Sequence, residues 1–327
     1  METNVLGIDV SKEQLDVVLL QGERQSYQAF ANSSLGFERM NRWLVGRGAG
    51  QVHACLEATG QYGEGLAEYL CQQGHVVSVV NPARIKHYGD SKLHRTKTDK
   101  ADAALIAEFC WKEQPPAWTP PPAEVKELRQ LVRRLEDVQA ARQQERNRLQ
   151  SGVGQADVVE DLQAHLRYLQ ERIQALRVAI QKLIDAHPNL KQQQQLLMTI
   201  PGIAALSAAR LIAEIGDIAQ FESAPQLAAY AGLNPKGSQS GTSIFKKPHI
   251  SREGRTFLRS ILYMPAMVAW RFNPIIRQFC DRLSQRNLPK KAILAAAMRK
   301  LLHQVFGILK HQKNFDPNFL APPAFAP

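Results

Sequence analysis

The chain has 327 residues, 44% of them hydrophobic, and carries 41 Lys and Arg against 30 Asp and Glu for a net charge of +11. That length supports two or three domains, each able to bury a core, and the basic balance favours a polyanionic partner over a small neutral ligand. The four scattered cysteines, Cys55, Cys71, Cys110 and Cys280, form no CxxC pair, which excludes a disulfide framework and a zinc site and reads as free thiols in a reducing compartment.

Met1 leads straight into a strand-like segment, with no basic, apolar leader and no run of about 18 apolar residues. The expectation is a soluble, intracellular protein with no membrane partner. Residues 4–9, 15–20 and 25–30 read as three short strands, followed by a helix over 34–46 with Asn32-Ser33 as its cap. A strand at 52–57, an amphipathic helix at 62–73 and a doubly apolar strand at 76–80 come next. Three meandering strands and then strand–helix–strand units predict a mixed α/β sheet of the RNase H type. Residues 81–98, rich in Arg, Lys and His, read as a loop, either solvated or in contact with phosphate. A helix over 99–112 then runs into the proline-rich stretch 115–122, a stiff linker.

Beyond the linker the periodicity changes. Leu162, Leu166, Leu169, Ile173, Leu176, Ile180 and Leu183 step 4-3-4-3-4-3, a coiled-coil seam that needs a partner helix. That partner is either a second copy of the chain, which is the favoured reading, or the shorter series Val125, Leu128, Val132 and Leu135. Ile200-Pro201-Gly202-Ile203 reads as a helix–hairpin–helix turn or a plain αα-hairpin, with helices at 205–215 and 224–232 following. Lys236-Gly237-Ser238-Gln239-Ser240-Gly241-Thr242-Ser243 reads as a loop, and helices are expected over 251–270, 273–286 and 289–310, before a proline-rich tail. Between Lys236 and Lys310 stand eight Arg and seven Lys against only Glu253 and Asp281, so this segment nets +13 and the rest of the chain −2. Lys236, Lys246, Lys247, Arg252, Arg255 and Arg259 are its candidate nucleic-acid contacts. The domain bounds expected are 1–113, 114–189, 190–313 and a tail over 314–327.

Four carboxylates stand out. Asp9 closes the apolar run Val5-Leu6-Gly7-Ile8, and Glu57 closes Ala54-Cys55-Leu56; a carboxylate at the end of a buried strand is costly unless paired or bound to metal. Asp99 and Asp102, three residues apart at the start of a helix, share one face, either as first-turn acids that favour the helix dipole or as ligands. Together the four make an oxygen-ligand set suited to a hard divalent cation such as Mg²⁺.

These residues, with Gly7-Ile8-Asp9-Val10-Ser11-Lys12, Glu57-Ala58-Thr59-Gly60, Lys97-Thr98-Asp99-Lys100-Ala101-Asp102-Ala103, Ile200-Pro201-Gly202-Ile203, Ala231-Gly232-Leu233-Asn234-Pro235 and Ser240-Gly241-Thr242-Ser243, carry a resemblance over nearly the whole chain. The sequence resembles the DEDD transposases of bacterial insertion sequences, described as bridge-RNA-guided recombinases. The resemblance implies a RuvC-like N-terminal domain whose Asp9, Glu57, Asp99 and Asp102 bind Mg²⁺ or Mn²⁺, a coiled-coil middle, and a mostly α C-terminal domain whose nucleophile is Ser240. It further implies target and donor DNA and a structured guide (bridge) non-coding RNA as partners. The assembly it implies is a homo-oligomer, a dimer of which assembles to a tetramer, in a bacterial cytoplasm beside the nucleoid.

Three other readings stay open on the residues alone. A sugar-kinase or actin-like ATPase suits the Gly7–Ser11 turn but has no use for the basic half. A Holliday-junction-resolvase-like nuclease uses the carboxylates and leaves Ser240 idle. A non-enzymatic nucleic-acid-binding protein explains the charge alone.

Overall fold

The computed structural model describes residues 4–58, 62–92, 98–152, 154–240, 244–251 and 253–318, with 237–240 and 244–248 described by their backbone. The chain divides into two compact units, Met1–Pro120 and Pro121–Pro327.

The first unit is built on β1 (Asn4–Val10), β2 (Gln14–Gln21), β3 (Arg24–Ala31), β4 (Val52–Glu57) and β5 (Val76–Val80), in the order β3-β2-β1-β4-β5. The meander β1–β2–β3 is antiparallel, while β4 and β5 run parallel to β1 through the crossover helices α1 (Ser34–Gly46) and α2 (Glu64–Gln72). This mixed α/β architecture is compatible with the RNase H-like fold expected. Ser33 caps α1 by accepting from the Gly36 N–H at 3.3 Å, as its position before the apolar run requires.

Strand alternation decides what each face of the sheet carries. Leu6, Ile8, Ala54 and Leu56 pack under α1 and α2 with Met40, Leu44, Leu66 and Leu70. Val5, Val18, Cys55 and Val80 pack on the opposite face beneath α3 (Pro82–Ser91) and α4 (Asp99–Glu113) with Ile85, Ala103, Ile106, Ala107 and Cys110. Helix α3 corrects the expectation of a loop over 81–98. Asn81 accepts from the Ala83 N–H at 2.9 Å, and Pro82 sits at the first helical position, a pairing that starts a helix despite the polar composition. Residues 93–97 of that stretch lie outside the described residues. The proline segment lies along the last strand, with the Ser78 hydroxyl donating to Pro115 and Pro116 carbonyls at 2.9 Å and the Trp118 N–H donating to Val77 at 2.6 Å.

Gly7 sets how closely α4 approaches β1. A Cβ there would lie 2.3 Å from both the Ala103 carbonyl oxygen and the Ala107 nitrogen, so a side chain cannot fit without moving the helix. Gly7→Ala is therefore expected to lower unfolding stability by about 1–3 kcal/mol through overpacking, read as a lower urea midpoint at unchanged m value. An unchanged midpoint would show that α4 yields freely.

In the second unit, α5 (Ala123–Gln150) and α6 (Ala156–Ala186) pair with each other. The Glu145–His165 contact at 3.2 Å and the Arg142–Gln170 hydrogen bond fix them as antiparallel neighbours. Leu169, Ile173, Leu176, Ile180 and Leu183 are buried in one core with Val125, Leu128, Val132 and Leu135 of α5. From Leu169 to Leu183 the seam is thus packed against α5 of the same chain, where the favoured expectation was a second copy. That core continues through α7 (Pro188–Met198), α8 (Ala205–Ile215), α9 (Ala224–Tyr230), α10 (Thr256–Phe272), α11 (Pro274–Ser284) and α12 (Lys290–His311).

The turn between α7 and α8 has Gly202 at φ 111°, and a Cβ there would stand 2.8 Å from the Pro265 oxygen and the Ala269 nitrogen of α10. This side of the turn serves packing between helices. Helix α10 begins at Thr256, five residues later than expected, after the backbone pairings that end the preceding hairpin. Helix α12 is, among the described residues, the one helix long and apolar enough to cross a membrane. Ten of its residues, from Ile293 to Leu309, are nevertheless buried in the protein core.

Candidate active site

Asp9 stands two residues beyond Gly7, so both face α4, and in the parallel pairing of β1 with β4 the register Ile8–Leu56 makes Glu57 its neighbour on that face. Helix α4 starts at Asp99, with Thr98 Oγ1 accepting from the Ala101 N–H at 3.2 Å. Asp99 and Asp102 lie one turn before Ala103 and Ile106, which pack on the sheet, so both acids fall on the sheet-facing side of the first turn. The four acids thus lie toward the carboxyl ends of adjacent parallel strands, where open α/β sheets place their sites.

Their proximity has an electrostatic consequence. Burial pushes the Asp9 carboxyl up, and repulsion from Asp102, Asp99 and Asp16 adds to it. Glu57 is raised to about 7, first by burial and then by Asp9 and Asp102. Among the described residues no three acid, His or Cys side chains close to ion-holding distance. A divalent cation would offset the repulsion that raises Asp9 and Glu57. Four carboxylates from three elements fit such an ion by donor chemistry and by mutual charge.

Sequence reasoning did not single out Asp16, which pairs with Asp9 across β1 and β2 and is 4% exposed. Tyr27 donates its hydroxyl to Asp16 at 2.6 Å, and Gln14 donates at 3.0 Å. That bond is the main cause holding the Tyr27 hydroxyl up at about 12, and Lys100 lies 5.4 Å from the Tyr27 ring centre. Asp16 is a hydrogen-bonded carboxylate beside Asp9 whose charge adds to the repulsion there. Its signal was an acid in the apolar strand Leu15–Leu20.

In the second unit the described part of the glycine- and hydroxyl-rich stretch, up to Ser240, is a strand where a loop was expected. It forms β6 (Pro235–Ser240), which pairs antiparallel with β7 (Ile244–Ile250). Ser240 is the last residue of β6, opposite Ile244, and the ladder is irregular between Lys236 and Ser238, at Gly237. Gly241, Thr242 and Ser243, like Arg252, lie outside the described residues, and Lys246 and Lys247 are placed on β7. Lys236 pairs with Glu253 at 2.8 Å. Arg259 donates to the Ala231 carbonyl at 3.0 Å and to Thr256 Oγ1 at 3.2 Å, and Arg255 has Glu214 at 3.6 Å. Arg255 and Arg259 therefore anchor inward as well as standing on the basic segment. Glu214 was also missed, although its run Ile212-Ala213-Glu214-Ile215 shows the same buried-acid pattern as Asp9.

Comparison with known proteins agrees with both halves of this arrangement. Residues 6–156 match the DEDD transposase family of IS110, and residues 194–281 match the transposase family IS116/IS110/IS902. The pilin gene-inverting protein of Moraxella bovis is 35% identical over 320 residues, covering 97% of this chain and 98% of that protein. The putative transposase y4qE of Sinorhizobium fredii is 26% identical over 321 residues, 90% of this chain and 77% of that one. An uncharacterized 43.6 kDa protein of insertion element IS110 from Streptomyces coelicolor is 32% identical over 160 residues, 49% and 38% of the two chains. An acid-bearing α/β unit followed by a helical unit with a basic hairpin is thus that of an enzyme that breaks and rejoins DNA, a DNA transposase or recombinase. The chain belongs to the IS110 family of insertion-sequence transposases, and DNA is its partner.

Proposed function

We propose that the protein exchanges DNA strands under the direction of a structured guide RNA, through a phosphodiester bond to Ser240 and with Asp9, Glu57, Asp99 and Asp102 holding Mg²⁺ or Mn²⁺. The observation that carries this reading is the convergence of the four acids at one end of the sheet in a chain that matches its family nearly end to end. A divalent cation bound by these carboxylates supplies charge neutralisation at a phosphate. Ser240 Oγ forms its bond to phosphorus as the bond to the departing deoxyribose oxygen breaks, and the hydroxyl proton leaves to a base or to solvent. The reverse exchange, with a deoxyribose hydroxyl of the other strand as attacker, frees the serine and seals the new junction. Lys236, Lys246, Lys247, Arg252, Arg255 and Arg259 contribute to phosphate contact, which positions without reading sequence. Site choice then falls to base pairing with the guide. The subunits act as an oligomer, a dimer pairing to a tetramer.

The test uses purified, RNase-treated protein, with and without RNA transcribed from the non-coding flank of its own element. Strand exchange between defined donor and target DNA is expected only with RNA. Binding should weaken with salt along a log–log slope of about −0.9 for each phosphate neutralised. RNase-treated protein that still selects one DNA sequence would overturn the guided reading.

A further inference from the structure

Among the described residues Glu214, on α8, is the one acid with no exposure at all. Its Oε1 accepts from Arg133 Nε of α5 at 3.1 Å. Its Oε2 makes no hydrogen bond and faces Arg255 Nη1 at 3.6 Å. Burying a carboxylate costs several kcal/mol even when paired, and well-packed apolar side chains often serve stability as well or better. Stability alone does not call for this charge, so what it holds matters.

What it holds is the exit of the β6–β7 hairpin. Arg255 is five residues beyond the end of β7, and its guanidinium lies 5.3 Å from the Tyr230 ring centre. Its backbone N–H donates to the Tyr230 carbonyl at 2.7 Å, while the Ser251 N–H donates to Asn234 at 2.8 Å. Gly254 is packed so tightly on this base that a Cβ would meet the Gly232 nitrogen at 2.4 Å. A two-stranded hairpin is marginal by itself, so the register of Ser240 depends on this base. The Arg255 side chain is one third exposed, which leaves part of it within reach of a phosphate oxygen.

We propose that Glu214 is a positioning residue for strand exchange: through Arg255 it fixes the base of the hairpin that carries Ser240, and through Arg133 it ties that base to helix α5. The inference rests on Ser240 being the nucleophile; the anchoring itself does not. Glu214→Gln keeps the shape and an acceptor for Arg133 but removes the charge that holds Arg255.

The experiment is hydrogen exchange on the full-length protein together with single-turnover cleavage on guide-loaded protein. Glu214→Gln should keep α5 and α8 amides as protected as in wild type while the β7 amides of 244–247, 249 and 250 exchange about 10-fold faster or more. The cleavage rate should fall about 10- to 100-fold, with the Kd for nucleic acid within about 2-fold, as expected from a misplaced rather than missing group. Arg255→Lys should reproduce the hairpin effect, and the double variant should add little, because the two act as a unit. Should Glu214→Gln fail to fold, Arg255→Lys and Arg133→Gln carry the same test. Unchanged hairpin exchange, or fully additive losses, would overturn the proposal. A wild type that forms no serine adduct while the hairpin still loosens in Glu214→Gln would remove the Ser240 reading and leave the anchor standing.

Discussion

Ser240→Ala is expected to abolish both the covalent protein–DNA intermediate and strand exchange. Trapped on a nicked suicide substrate with guide RNA and run on a denaturing gel, wild type should give a slow-migrating protein–DNA band. Ser240→Ala should give none, and Ser238→Ala should keep it. Serine hydroxyls are weak nucleophiles, so the residue matters only where its surroundings position it and stabilise charge, and its loss should then cost ~10³-fold or more. The hairpin supplies such surroundings in its sequence: Gly237 and Gly241 permit close backbone approach, and Lys246 and Lys247 follow on β7. Ser240 is the last residue of its strand, opposite Ile244 of β7. Full strand exchange by Ser240→Ala would leave a metal-dependent nuclease as the better account.

The second large effect concerns the acids. Asp9→Asn and Asp102→Asn should each reduce strand exchange by ~10²-fold or more, by removing a ligand and a charge aimed at the reacting phosphate. The same variants should be at least as stable as wild type in EDTA, because each removes a partner in the repulsion that raises Asp9 and Glu57. Mn²⁺ should raise the melting temperature of wild type, by binding worth about 2.7 kcal/mol at a hundred times Kd, and should not raise that of the variants. The combination separates a ligand from a structural acid: a structural Asp102, serving only the α4 dipole, would lose stability in EDTA and leave the Mn²⁺ response intact. Strand exchange at the wild-type rate by either Asn variant would sink the metal assignment.

Sequence alone determined what repeats locally. The alternation of Val5, Gly7 and Asp9 against Leu6 and Ile8, and the i,i+3 spacing of Asp99 and Asp102, are covalent facts, so the strands, the α4 helix and the face each acid occupies were legible. The charge asymmetry was legible for the same reason: it is a count. Tertiary structure alone decided which surfaces meet. A heptad seam such as Leu169–Ile173–Leu176 reads identically whether its partner is another chain or helix α5, because the periodicity records the need for a partner and says nothing of its identity. Polar Asn81–Ser91 could be a helix or a loop until Asn81 closed its cap on Ala83. Ser238 and Ser240 belong to a strand because β7 is there to pair with it. Glu214 looked like one more acid in a helix until Arg133 and Arg255, 81 residues before it and 41 after it in the chain, arrived on either side. Long-range burial decides whether a carboxylate is solvated, paired or a ligand, since the cost of a charge depends on the dielectric and the partners around it, and those are set only when distant segments pack.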